Sequence, residues 1–384
     1  MEAGTSDQWL AAGADGAARR VRIVSVAGTR PEAIKFAPLL HAFAARSEIA
    51  HIFVATGQHR ALFHAALAEF GVAADIDLAL PNDGIDAHAA ALAHALPPLL
   101  ARIAPDLVLV QGDTTSAWAS ARIAAGLGIA VGHVEAGLRS GDARRPWPEE
   151  RNRREIDALS TLLFAPSEAA LANLAGLPGL AMLTGNTGID ALLWMRRNAA
   201  PRLHERATHR IVVTCHRSES IARIDDVAAA LLGIAARGDV RLHLPLHPNP
   251  ALVPLREALA GHPRILVEPA MGYADLVRLL AGAELLLTDS GGLQEEAPAL
   301  GLPTLVLRDT SERPEVIASG NARLVGLDPA RIVAEAMRLL DDPAARAAMS
   351  RPALPYGEGR AAERIVGGIL RWAAEACLPE CAHA

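Results

Sequence analysis

The stretch Ala283-Glu284-Leu285-Leu286-Leu287-Thr288-Asp289-Ser290-Gly291-Gly292-Leu293-Gln294-Glu295-Glu296 decides the fold. Its apolar run, Ala283–Thr288, has the length of a buried strand. Ser290 can cap a following helix, and the two glycines let the chain turn tightly into it. A strand that passes through a short turn into a helix is the repeating unit of a parallel sheet. Working outward, the same alternation predicts strands at Arg210–Thr214, Arg241–Leu244, Arg264–Val267, Thr304–Leu307 and Ala322–Val325. An earlier series predicts strands at Val21–Ala27, Ile49–Ala55, Leu107–Val110, Ile129–Val134 and Leu162–Ala165. Pro31 is well placed in the first turn of the helix that follows Val21–Ala27.

Gly188 and a polar stretch around Asn198–His209 separate the two series. The expected architecture is therefore α/β, with two Rossmann-like domains facing each other across a cleft. The first spans 21–188 and the second 189–357, while the helical stretch within 358–384 is expected to cross back and complete the first. Residues 1–20 are Ala/Gly-rich and unpatterned, which predicts a disordered extension. With 384 residues, two domains is also the natural division by length.

Composition narrows the function. The net charge of −6 supplies no basic field for nucleic acid, so an anionic ligand must be held by a few placed cations and backbone amides. No uncharged run is long enough to span a bilayer, and the acidic N-terminus is unlike a signal peptide, so a cytoplasmic protein is expected. The three cysteines, Cys215, Cys377 and Cys381, make no disulfide framework. Cys377, Cys381 and His383 have metal-clip spacing, but a frayed tail is the better reading, and no metal site is expected.

In open parallel sheets, ligands bind at loops leaving the carboxyl ends of strands. Gly28-Thr29-Arg30-Pro31-Glu32 follows the first strand and matches neither a dinucleotide fingerprint nor a Walker loop, so neither cofactor is indicated. It does bring Arg30 and Lys35 to a helix start, where an anion is favoured, although taken alone a solvated Arg and Lys on a first turn is the better reading. Ser290, Gly291 and Gly292 offer a second helix start, suited to a diphosphate. Glu295 or Glu296 is placed one turn on to accept from ribose hydroxyls. Arg308 to Arg313 adds cations at the end of the next strand. Asp113 and Glu135 end successive strands, and Glu149 precedes a helix with an Arg-rich face. Singly, Asp113 can be a cap and Glu135 a partner for Arg139; together they line one wall with proton donors and acceptors. His133 and Glu135 form H-x-E without the Pro-Cys-x-x-Cys of a zinc deaminase. His216 ends a strand beside Cys215, which is better read as a small buried hydrophobe than as a nucleophile. His243 and His247 either line the site or shape a turn.

These segments together resemble the non-hydrolysing UDP-N-acetylglucosamine 2-epimerases. The matching stretches are Gly28 to Lys35, Gln58-His59-Arg60, Gly112 to Thr115, Gly132 to Arg139, Pro146 to Glu150, Gly185 to Thr187, Thr288 to Glu296 and Arg308 to Pro314. The resemblance implies the two-domain fold shared with glycosyltransferases of the B type, usually as a homodimer. It implies interconversion of UDP-GlcNAc and UDP-ManNAc, through loss of UDP to a 2-acetamidoglucal and its return, for bacterial surface polysaccharides. It assigns acid/base roles to Asp113, Glu135 and Glu149 and phosphate contact to His216. Arg30, Lys35, Arg139, Ser290, Gly291, Gly292, Glu296 and Arg313 match substrate contacts, and Gln58, His59 and Arg60 fall in a stretch associated with regulation by substrate. No cofactor or metal is implied. Cys215, Ser218 and Leu276 depart from the family's usual residues. The competing expectations are a hydrolysing epimerase that releases ManNAc, a glycosyltransferase of the same fold, and a non-catalytic UDP-sugar sensor.

Overall fold

The strands expected from sequence are runs of Val, Ile and Leu with little polar alternation, as strands covered on both faces require. The computed structural model describes residues 19–142, 146–198, 209–247, 249–311 and 313–376. The first series forms β1 (Val21–Ala27), β2 (Ile49–Ala55), β3 (Ile76–Asp77), β4 (Leu107–Gln111), β5 (Ala130–Val134), β6 (Leu162–Ala165) and β7 (Leu180–Leu183). The second forms β8 (His209–Thr214), β9 (Val240–Leu246), β10 (Ile265–Pro269), β11 (Leu285–Thr288), β12 (Thr304–Val306) and β13 (Ala322–Leu324). All expected strands are present, their ends displaced by a residue or two. β3 and β7 were not expected. β3 is two residues long, and β7 is a sheet edge with half-exposed ends, so neither carries the dense apolar run that marks a buried strand.

The chain divides into two compact units, one running to Ala191 and resuming at Gly359, the other Leu192–Glu358. In the first unit the strand order is β3-β2-β1-β4-β5-β6-β7, and in the second β10-β9-β8-β11-β12-β13. Neighbouring strands pair in parallel throughout. Both units thus follow the doubly wound order, third-second-first-fourth-fifth-sixth. Strand direction of progression reverses beside β1 and β4 in one unit, and beside β8 and β11 in the other. At such a point the two loops leaving the carboxyl ends diverge and open a crevice.

Period-two side-chain alternation divides each core between the sheet's faces. Ile23, Phe36, Phe53, Leu109 and Phe164 pack on one face of the first sheet, and Val24, Leu92, Leu100, Val108 and Val110 on the other. In the second unit Ile211 and Val213 join one cluster while Val212 joins the opposite one. The C-terminal helix Ala361–Ala376 belongs to the first unit, where Ile365, Val366 and Ile369 enter the cluster around Phe36. Asp190 caps it: its carboxylate accepts the N–H groups of Ala361 at 3.1 Å and Ala362 at 2.8 Å, satisfying two of the amides at the helix start.

No helix among the described residues is long and apolar enough to cross a membrane. Cys377, Cys381 and His383 lie outside the described residues, as does nearly all of the 1–20 segment.

Candidate functional site

The segments picked from sequence collect at the two reversal points. In the first unit, β1 delivers Gly28-Thr29-Arg30 and β4 delivers Gln111-Gly112-Asp113, on adjacent strands. The helix Arg30–Ala44 starts with Pro31 in its first turn. Glu32 is buried and fastens the two loops together. One of its oxygens accepts from the N–H groups of Gly28 at 3.1 Å and Thr29 at 2.8 Å, and the other from the Thr114 hydroxyl at 2.8 Å. Burial raises its pKa above the usual carboxylate range, against the pull of these donors.

β5 runs directly into Glu135, whose backbone stands in the left-handed region at φ 71°. For a residue with a Cβ that conformation costs about 1–2 kcal/mol, and it is held here from outside. The N–H groups of Glu135 and Ala136 both donate to the Phe164 carbonyl at 3.1 Å. The turn aims the Glu135 carboxylate at Lys35, whose Nζ lies 2.6 Å from each oxygen, and Gln111 donates to the same carboxylate. Arg139, a possible partner for Glu135 by spacing, pairs instead with the fully buried Asp157 at 2.7 Å.

Asp113 receives a two-pronged hydrogen bond from Arg153, Nε at 2.8 Å and the terminal nitrogen at 2.7 Å, through one oxygen only. Its side chain remains 27% exposed, so the second oxygen faces outward with no partner among the described residues. Arg153 is held in turn by the buried Glu150 at 3.1 Å. Glu149 begins the helix Glu149–Leu159, and its Oε2 is buried without a hydrogen-bond partner among the described residues. A buried acceptor left unmatched is costly, so Glu149 calls for a donor beyond those among the described residues.

The neighbouring loop tolerates little change. Gly137 has φ 85°, and a Cβ there would lie 2.1 Å from the Ala170 carbonyl oxygen. Gly137→Ala is expected to destabilise the protein by on the order of 3 kcal/mol, the sum of left-handed strain and overpacking against backbone. A denaturation midpoint equal to that of the unsubstituted protein would contradict this.

Gln58, His59 and Arg60 sit at the end of β2. Gln58 accepts from Ser116 at 2.8 Å, the His59 N–H donates to Gly28 at 2.8 Å, and Arg60 pairs with Asp77 at 2.7 Å. The first two therefore brace the turn after β1, and Arg60 faces a different partner.

In the second unit, β8 and β11 are adjacent. Asp289 is fully buried and turns back on the β8 loop, its Oδ2 accepting from the N–H groups of His216 and Arg217 at 2.9 Å each. The His216 ring stands beside it, Nδ1 3.4 Å from Oδ1. Burial lowers the His216 pKa although Asp289 pulls it upward, so the ring is neutral at neutral pH. Burial, reinforced by Asp289, pushes the Cys215 thiol up to about 12, which removes it as a nucleophile. Thr214 and Thr288 join their hydroxyls at 2.6 Å beneath the loops.

Ser290 caps the helix Gly291–Ala299, its hydroxyl 3.5 Å from the Leu293 N–H. Among the described residues, no heavy atom lies within 4 Å of where a Gly292 Cβ would stand. The glycine is therefore not required by packing at its own Cβ position, and it stands in the first turn of the helix, where anion binding is favoured. Arg313 is buried and its Nε donates to Glu295. Its N–H donates to Ser311 at 3.1 Å, and Ser311 donates to Gln294 at 2.6 Å, which ties the 308–313 segment to this helix. Glu296 is on the same helix one residue on. His243 pairs with Glu268 at 3.1 Å, and Leu276 packs in the apolar cluster with Val212 and Leu286.

Sequence reading missed Arg153, Glu32, Gln111 and Asp157. Arg153, Gln111 and Asp157 act through partners far away in the chain, so no spacing marks them, whereas Thr29-x-x-Glu32 is a capping box whose spacing could have marked Glu32.

The family model described as UDP-N-acetylglucosamine 2-epimerase matches residues 41–370 of this chain. The chain belongs to that family. The UDP-N-acetylglucosamine 2-epimerase of Escherichia coli K12 is 42% identical over 370 residues, covering 91% of this chain and 98% of that protein. The Neisseria meningitidis UDP-GlcNAc 2-epimerase, solved bound to UDP-GlcNAc, superposes with a TM-score of 0.86 at 35% identity, covering 91% of this chain and all 100% of that one. The Methanocaldococcus jannaschii UDP-GlcNAc 2-epimerase, solved with UDP-GlcNAc and UDP, gives a TM-score of 0.79 at 31% identity over 92% of this chain and 100% of its own. The fold is thus the two-sheet α/β architecture of the UDP-GlcNAc 2-epimerases.

Proposed function

We propose that this epimerase interconverts UDP-GlcNAc and UDP-ManNAc without net hydrolysis. The observation that carries the reading is a pair of carboxylates at the ends of adjacent strands, Asp113 after β4 and Glu135 after β5, with Glu149 at the start of the helix whose Arg153 holds Asp113, in a chain of this family. The C2 proton is not acidic, because no carbonyl is attached to C2, so simple removal and return is chemically implausible. Elimination solves this: a base removes the C2 proton while the C1–O bond breaks, C1 and C2 become doubly bonded, and UDP leaves. Addition reverses each step, with UDP attacking C1 and a proton entering C2 from the other face.

The residues have matching roles in this reading. Asp113, Glu135 and Glu149 take and return protons. Each of the first two is held in place by a cation, Arg153 or Lys35. Ser290, Gly291 and Gly292 present helix-start amides to the diphosphate, with Arg30, Glu296 and Arg313 as further substrate-facing positions from the family resemblance. The neutral His216 ring, oriented by Asp289, hydrogen-bonds a phosphate oxygen as UDP departs. Arg139 acts through Asp157, and Gln58, His59 and Arg60 carry any regulation by substrate. The family resemblance also supports a cytoplasmic homodimer, with residues 21–188 and the C-terminal helix as the acid/base domain and 189–357 as the UDP domain.

The test is incubation of pure protein with UDP-GlcNAc in deuterated water. UDP-ManNAc carrying deuterium at C2 is expected. Unlabelled substrate alone would sink the proposal, and free ManNAc would assign the chain to the hydrolysing branch.

A further inference from the structure

His133 is fully buried in β5 and belongs to no role described above. Its two ring nitrogens meet two acceptors. Nδ1 lies 2.6 Å from Asp157 Oδ1, and Nε2 lies 2.8 Å from the Gly112 carbonyl oxygen. A neutral imidazole has one N–H, so it would set a bare lone pair against one of these oxygens. Satisfying both requires the ring to donate twice, as the imidazolium.

The surroundings fit that charge. Asp157 is fully buried and faces His133 through one oxygen. Its other oxygen accepts from Arg139 at 2.7 Å and from the Gly137 N–H at 3.2 Å. Burial pushes the Asp157 carboxyl up, yet the donors from His133 and Arg139 bring it below the ordinary carboxylate range. The Asp157 carboxylate thus lies between the His133 ring and the Arg139 guanidinium, and the far side of the ring meets the Gly112 carbonyl.

The Gly112 carbonyl is the hinge of the β4 loop. Gly112 stands at φ 67°, its N–H donates to Val134 at 2.9 Å, and Asp113 follows it directly. We propose that His133 is a permanent buried imidazolium that clamps the Gly112 turn to Asp157, and that it is a positioning residue for Asp113 and Glu135. One donor fixes the loop that bears Asp113. The other fixes the carboxylate that also holds the Gly137 amide and Arg139, which closes the loop bearing Glu135. Its effect on turnover rests on the acid/base reading of those two residues; its protonation does not.

The first measurement is the long-range proton–nitrogen spectrum of protein labelled with nitrogen-15 histidine, at pH 8 and without substrate. The His133 signals are those lost in His133→Gln. Both ring nitrogens at protonated positions, with two slowly exchanging ring protons, are expected. One nitrogen at the unprotonated position would overturn the clamp whatever the enzyme's activity. The second measurement compares two variants confirmed as folded by their melting temperatures. The Gln amide reaches the Nε2 position and keeps a donor toward Gly112, whereas the Asn amide reaches only the Nδ1 position. Each variant keeps one arm of the clamp and loses the other, so both are expected to lower kcat by about tenfold, the worth of one hydrogen bond, with KM unchanged. Normal turnover in either variant would overturn the positioning role. Failure of the acid/base reading itself would show separately, as normal turnover in Asp113→Asn.

Discussion

Asp113→Asn is expected to lower turnover by about a hundredfold or more while leaving the fold and the affinity for UDP nearly unchanged, the range for loss of a positioned acid or base. The substitution keeps the shape and removes only the charge and the proton-accepting power. Arg153 still meets an oxygen at this position, and its second carboxylate partner, Glu150, is untouched. Asp113 is partly exposed but Arg153 is buried, so weakening their pair costs about 1–3 kcal/mol of stability, softened by the retained amide oxygen and by Glu150. Steady-state kinetics with UDP-GlcNAc, beside a UDP titration and a melting curve, separates the cases. Turnover within a few-fold of normal would remove Asp113 from the chemistry.

Glu135→Gln should produce a comparable loss of turnover with an added cost in stability. Here the carboxylate is almost fully buried and grips Lys35 with both oxygens at 2.6 Å. Removing the negative partner leaves a mostly enclosed ammonium against an amide, and breaking a buried pair costs about 3–5 kcal/mol when nothing replaces it. The lysine is 19% exposed, so solvent recovers part of that cost. A turnover loss of about a hundredfold under conditions where the variant is fully folded supports a direct role. A loss that vanishes once unfolding is corrected for would reduce Glu135 to an anchor for Lys35. The double variant Lys35→Met with Glu135→Gln sharpens this: it should regain stability without regaining turnover.

These two carboxylates show how differently the two levels of description work. Asp113 was legible as a residue just past an apolar run, because loops at strand ends are where parallel sheets bind ligands. The helix start at Ser290 was legible for the same reason, and the open space at Gly292 agrees with it. Glu135 was legible as an acid at a strand end, but its expected partner by spacing was Arg139. The left-handed turn at Glu135 sends the two side chains apart, one to Lys35 and the other to Asp157. Arg313 read as a cation at the rim, yet it is buried against Glu295.

What the sequence determined by itself was the alternation of buried strands and amphipathic helices, in two series, and the short polar segments that end each strand. Those are local properties: apolar runs, turn residues and caps act over a few residues, and their physics is complete within that span. Which strands lie side by side is a tertiary matter. The order of the strands places β1 next to β4 and β8 next to β11, and that adjacency alone brings residues about eighty positions apart into one crevice. The pairing of Glu32 with the Thr114 loop follows from it, and β5 beside β4 sets His133 against Gly112 in the same way. No periodicity records them, because a hydrogen bond depends on where atoms end up and not on how far apart they are along the chain.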